Sequence, residues 1–326
     1  MKEENHYLRL IILIQIIVLI WLWSWILIDK NIPAAERANF GDKFGVINSL
    51  FSGLALAVII YSIILQQKEL NLQRKELSET REEFKDQNFQ TTFFNLLRTQ
   101  QQIANEIRVT ISDLRTYSAF ENREANGREF FFNSRIELYR IASALEHPKY
   151  VGFSEWDEYD AHYNEPDNDD AEASLTKLRK LSYTLKYYRI TKSQWERSKG
   201  LEPVKFAEFC YKIFFRKFQY AIGHYFRHLY HILLFLEETE KDKILKKPLE
   251  EKTEIEEEFQ RYANFVQAQM ATPELFLLFY NSLNFLKMKR IVIKYNTLEN
   301  LCAEDLINIK HNDVEGINLK SLKDFD

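Results

Sequence analysis

The sequence predicts an all-α protein in three parts: an N-terminal two-helix transmembrane hairpin, a helical stalk and a cytosolic multi-helix domain. Three observations lead there. Two long apolar runs fill residues 1–65, yet the whole chain has a mean hydropathy of only −0.37, so the remainder is polar. Glycine and proline, which punctuate secondary structure, number 8 and 6 in 326 residues. Most other segments repeat apolar residues at helical spacing. The parts divide as 1–65, with spans at about 8–28 and 44–65, then 66–91, then 92–326.

The second apolar run, Phe44 to Leu65, has 22 residues with no charge and no proline. At about 1.5 Å per residue it suffices for a hydrocarbon core of about 30 Å. Gly45, Ser49, Gly53 and Ala57 recur every fourth residue, a small-residue face that lets another helix approach closely in lipid. That partner is either the first span or a neighbouring copy of the chain. The first run, Leu10 to Ile28, has 19 residues and gathers Trp21, Trp23 and Trp25 towards its end, as at a membrane interface. It exceeds a signal peptide's apolar core of about 7–15 residues, and a second span follows, so it reads as retained. Lys2, Arg9, Lys68, Arg74, Lys75, Arg81 and Lys85 flank the hairpin, against Lys30, Arg37 and Lys43 between the spans. This asymmetry places both termini on the inside of a multi-pass membrane protein, with a short external loop.

The stalk repeats with period seven: Lys68-Glu69-Leu70, Lys75-Glu76-Leu77, Glu82-Glu83-Phe84. Leu70, Leu77 and Phe84 form one apolar line, while Gln73, Thr80 and Gln87 leave the companion line polar. A single long helix or a weak oligomeric coiled coil fits this half-apolar seam.

In the third part, apolar periodicity resumes through Phe93, Leu96, Leu97, Ile103, Ile107 and Ile111. Residues 108–133 mix turn and helix signals around Gly127, and a helix is expected from Arg128 to Leu145. Residues 154–173 hold nine acids and no Lys or Arg, a mobile acidic loop without the ordering or central glycine of a calcium loop. Between Thr176 and Lys199 eight cations face one acid, Glu196, with Tyr183, Tyr187, Tyr188 and Trp195 interleaved. Such a segment either binds nucleic acid or forms a helix with buried aromatics and solvated cations. Pro203 opens a strong helix to about Thr239, with Ile222, Phe226, Leu229, Leu233 and Leu236 as its core stripe. Residues 237–261 read as a charged linker around Pro248. Thr272-Pro273-Glu274 marks the next helix start, a last helix covers Lys287 to Leu301, and the tail from Glu304 reads as weakly ordered.

Composition narrows the chemistry. The net charge of −4 argues against nucleic-acid binding by the chain as a whole. Two cysteines, Cys210 and Cys302, make neither a disulfide framework nor a zinc site. No phosphate-binding loop, dinucleotide loop, nucleophile elbow or zinc-protease motif occurs, so no catalytic residue and no cofactor is assigned. His224, His228 and His231 share a helix face opposite the core stripe. They suit either a metal without an acidic ligand or polar contacts to a neighbour. Arg140 followed by His147 loosely matches the Arg–His spacing of small helical ribonucleases of bacterial defence systems, in which the His acts as acid and base.

Four stretches resemble the AbiC-like phage abortive infection family of membrane proteins: residues 44–77, Thr92 to Leu97, Gly223 to Glu237, and Arg261 to Leu283. The most specific positions are His224, Tyr225, Phe226, Arg227 and Tyr230, with Gln269, Glu274, Tyr280 and Asn281. The resemblance runs from about Asp42 to Leu301. It implies a bacterial antiphage protein that halts the host when infection is sensed, without supplying a mechanism or a role for these positions. The expected partners are the membrane, further copies of the chain, and a phage component, another defence protein or RNA as trigger. The alternative reading is a membrane-tethered HEPN-like ribonuclease or nucleic-acid sensor.

Overall fold

The computed structural model describes residues 15–16, 19–23, 26–27, 30–31, 33, 37–113, 121–150 and 169–325. The chain divides into two compact units, Met1–Gln87 and Asn88–Asp326.

Helix α1 (Arg37–Glu106) runs for 70 residues and contributes to both units. Over residues 44–65 it carries no charge on any face, and Leu50, Phe51, Leu54, Val58, Ile60 and Ile64 are all exposed. A helix that is apolar all round needs a non-aqueous neighbour. By length and composition α1 is the one helix among the described residues fit to cross a membrane. Gly45, Ser49, Gly53 and Ala57 lie on its exposed surface, and a Cβ added to Gly45 or Gly53 would meet no described atom within 4 Å. No breaker interrupts α1 between the apolar run and the seven-residue repeat, whose Leu70, Leu77 and Phe84 are exposed. Of the first predicted span, residues 15–16, 19–23 and 26–27 are described and helical. The pairing of two spans into a hairpin lies outside the described residues.

The second unit is helical apart from one hairpin. Strands β1 (Arg108–Asp113) and β2 (Glu121–Asn126) pair antiparallel, Arg108 opposite Asn126 and Asp113 opposite Glu121. The mixture of turn and helix expected at 108–133 is thereby corrected at 108–113 and 121–126, which are strands. Ile107 and Ile111 are four apart, a spacing common to both periods, but Val109 between them is also buried, and only period two allows that. Gly127 closes the hairpin onto α1: its N–H donates to the Ile107 carbonyl at 2.7 Å. Its φ of +55° and the 3.3 Å from an added Cβ to the Asn105 carbonyl both require glycine.

Helix α2 (Arg128–Glu146) follows, then α3 (Asp169–Tyr187), α4 (Lys192–Ser198) and the long α5 (Pro203–Lys246). Helices α6 (Lys252–Ala268), α7 (Thr272–Asn284) and α8 (Leu286–Lys294) complete the body. Helix α5 packs on α2, α6, α7 and α8, and α7 also packs on α2. The core between them is rich in rings: Phe89, Phe93, Phe130, Phe131, Phe214, Phe218, Phe259, Phe276 and Phe279 are all buried.

Four further expectations change. Asp169 and Asp170 open α3 rather than continue a loop; residues 154–168 lie outside the described residues. The charged linker at 237–261 is the end of α5 and most of α6. Ile255, Phe259, Ala263 and Val266 make a buried stripe beneath a charged outer face. Helix α5 continues past Thr239 because Glu237 and Glu240 are buried against α8. There Arg290 clasps Glu237 at 2.6 and 2.7 Å, and Lys294 and Tyr295 each reach Glu240 at 2.6 Å. The last helix ends at Lys294, and the tail folds back as short 3-10 turns that bury Leu306, His311, Val314 and Ile317. One parallel bridge, Cys302 to Lys320, holds the tail's return.

Candidate functional site

The positions singled out by the family resemblance fall on both sides of α5. Helical spacing explains the split, because Tyr225 and Phe226 are about 100° apart around the axis.

On one side Tyr225 is buried and donates its hydroxyl to Glu274 Oε1 at 3.0 Å. Burial, and then the Glu274 carboxylate, push the tyrosine pKa well above its ordinary value, so the proton stays on the phenol. The other Glu274 oxygen accepts the Ala271 N–H at 2.7 Å, capping α7, and Arg128 Nε stands 3.7 Å from it. Arg128 also donates to the Gln269 carbonyl at 3.0 Å. Gln100 of α1 donates to the Tyr225 carbonyl at 3.4 Å and offers Oε1 to His228 Nδ1 at 2.8 Å. The cluster therefore ties α1, α2, α5 and α7 together. Burial, and then His231, lower the His228 pKa, which favours a neutral ring donating from Nδ1.

On the other side, Phe215, Gln219, Gly223, Phe226, Arg227 and Tyr230 form one stripe of α5. It faces Asn281, Phe285, Lys287 and Met288 from the junction of α7 and α8. Between them lies a cleft of about 380 Å³. Among the described residues, no acidic one lines it. The Arg227 guanidinium lies over Gly223, 3.9 Å from where a Cβ would stand. Asn281, at the cleft's inner wall, donates to the Tyr211 hydroxyl at 2.7 Å. Tyr280, its neighbour, points instead into the tail, meeting His311 Nδ1 at 2.9 Å and accepting the Ile307 N–H at 3.0 Å.

The other sequence candidates are committed elsewhere. His224 and His231 are exposed while His228 turns to Gln100, and among the described residues no cluster of three or more ligating side chains could hold a metal. Arg140 pairs with Glu137, and His147 Nδ1 meets the Lys149 backbone. In the basic segment Tyr188 is buried against the Glu137 carboxylate, whose own pKa burial raises. Lys199 caps α2 through the Leu145 and His147 carbonyls at 2.8 and 2.7 Å. Cys210 is buried, and burial pushes its thiol pKa up, away from nucleophilic chemistry.

Sequence reasoning placed Phe226, Arg227, Tyr230 and Asn281 without joining them, and it missed Phe215, Gly223, Phe285 and Lys287. The 215-219-223-227 spacing, which puts these residues on one face of the helix, was the available signal.

Fold and site together define a helical body that shares one long helix with an apolar, membrane-competent segment. Residues 217–306 match the family described as "putative phage abortive infection protein", which supports the AbiC-like resemblance. The matched stretch includes every residue lining the cleft except Phe215. No curated protein and no solved structure matches the chain.

Proposed function

We propose that this chain is an antiphage effector of the bacterial inner membrane, with two spans and both termini in the cytoplasm. Its helical body senses infection, and repacking of the spans then breaches the membrane barrier and halts the cell. The observation that carries this reading is α1. The same helix bears an apolar run with no described residue buried and, further on, Phe89, Phe93 and Leu97, which are buried in the helical body. A rearrangement around those rings has a covalent, helical route to the apolar run. The family match supports the defence role.

Further copies of the chain are the expected partners of the exposed lines on α1, through Gly45, Ser49, Gly53 and Ala57 in lipid and Leu70, Leu77 and Phe84 outside it. The test is Gly53→Leu in cells challenged with phage and read with a potential-sensitive dye. Loss of both depolarisation and protection is expected; if both are unchanged, the packing face is not the output.

A further inference from the structure

We propose that the cleft between α5 and the α7–α8 junction binds a nucleotide, with its base against Phe215 and Phe285 and its phosphate between Arg227 and Lys287. The volume of about 380 Å³ lies in the range of about 300–1,000 Å³ typical of small-molecule sites. The walls are apolar and aromatic: Phe226 and Met288 are buried, and Phe215 and Phe285 meet edge to face at 5.3 Å. That geometry leaves a ring face for stacking. The two cations have no ion pair with any described residue, and no carboxylate among the described residues lines the cleft to compete with a ligand's phosphate. An arginine and a lysine set above an apolar floor suit a phosphate tethered to a ring.

A separate observation points to the base. A smaller pocket of about 280 Å³ adjoins the cleft, sharing Phe215, Gln219 and Phe285, and Asn284 lines it. The Asn284 Oδ1 is buried and has no hydrogen-bond partner among the described residues. A buried acceptor without a donor is costly, and a turn of the Asn284 side chain towards the pocket would offer it to a ligand N–H. The exocyclic amine or ring N–H of a nucleobase supplies one; a phosphate alone or a lipid chain does not. Binding rests on the cleft alone and does not depend on the defence reading above.

The experiment is calorimetric titration of the full-length chain in detergent with AMP, GMP, CMP and UMP, beside the parent nucleosides and inorganic phosphate. At least one mononucleotide should bind saturably, and its nucleoside and phosphate should each bind at least about tenfold more weakly, as loss of a charge-assisted or stacking contact requires. Arg227→Gln should weaken nucleotide binding by about tenfold or more. Gly223→Leu, whose Cβ would meet only the flexible Arg227 side chain and whose branch would fill the floor, should abolish it. Both variants should keep the wild-type melting temperature and far-ultraviolet spectrum. The proposal is overturned if no nucleotide binds below millimolar concentration, if both folded variants bind like wild type, or if phosphate alone binds as tightly as the nucleotide. The titration reads no cellular outcome, so its failure is distinct from failure of the defence reading, which phage challenge tests.

Discussion

The Tyr225 hydroxyl donates to the Glu274 carboxylate across 3.0 Å of protein interior, joining α5 to the first turn of α7. Glu274 is 2% exposed and also holds the Ala271 N–H, so one side chain both caps a helix and anchors its neighbour. Glu274→Ala leaves the buried Tyr225 hydroxyl and the part-buried Ala271 N–H without their acceptor. It should destabilise the chain by about 2–4 kcal/mol, and Tyr225→Phe by about 1–3 kcal/mol. Chemical denaturation of both single variants and the double variant should show the losses to be less than additive. Simple additivity would mean the bond is not a coupled element.

His311 gives the tail a pH dependence. It is buried beneath Tyr280, and burial lowers its pKa from the usual 6.5 to about 4. The unfolded chain therefore takes up this proton first as pH falls. Stability is full above 6.5 and declines between 6.5 and about 4. The slope is at most about 1.4 kcal/mol per pH unit. His311→Gln should flatten that part of the stability curve; an unchanged slope would assign it to other groups.

A second acid transition belongs to Glu237, whose carboxyl is held at about 2, against the usual 4.5, chiefly by the Arg290 hydrogen bonds. Here the folded chain resists protonation. The ion pair's contribution is present above 4.5 and is lost as pH falls towards 2. Arg290→Ala should cost about 1–2 kcal/mol at neutral pH, because Arg290 is itself half-exposed. It should also remove part of the acid transition, and pH-resolved melting checks both.

Leu77 stands 53% exposed between Leu70 and Phe84 on α1. If copies of the chain associate along this line, Leu77→Lys should lower the mass of the detergent-solubilised protein measured by light scattering. An unchanged mass would remove the repeat from the oligomer contact.

His147→Ala should keep full protection in phage challenge, with host RNA intact. His147 is tied to the Lys149 backbone, and Arg140 to Glu137, so neither is presented as an acid–base pair. Loss of protection with RNA cleavage in the wild type would restore the ribonuclease reading.

Local patterns were legible wherever one face of one helix carried the signal. The start of α5 at Pro203, its stripe through Ile222, Phe226, Leu229, Leu233 and Leu236, and the start of α7 at Thr272-Pro273-Glu274 need no partner to be recognised. Misreadings arose where charge masked periodicity or two periods coincided. In α6 the acids hid the stripe of Ile255, Phe259, Ala263 and Val266, and at 107–111 a four-residue step served a strand as well as a helix. The tail's order was invisible locally, because Tyr280 and Ile293, which receive it, are distant in sequence.

By itself, the sequence determined the helical class, the apolar run at 44–65 and its unbroken exit into a seven-residue repeat, since all three follow from periodicity and the absence of breakers. It also carried the positions that align with a defence family. Tertiary structure alone decided that Tyr225 and Glu274 meet inside the body while Arg227, Tyr230 and Asn281 open onto a cleft with Lys287. The physical reason is that a helix turns about 100° per residue, so adjacent residues face different neighbours, and only packing says which neighbours those are.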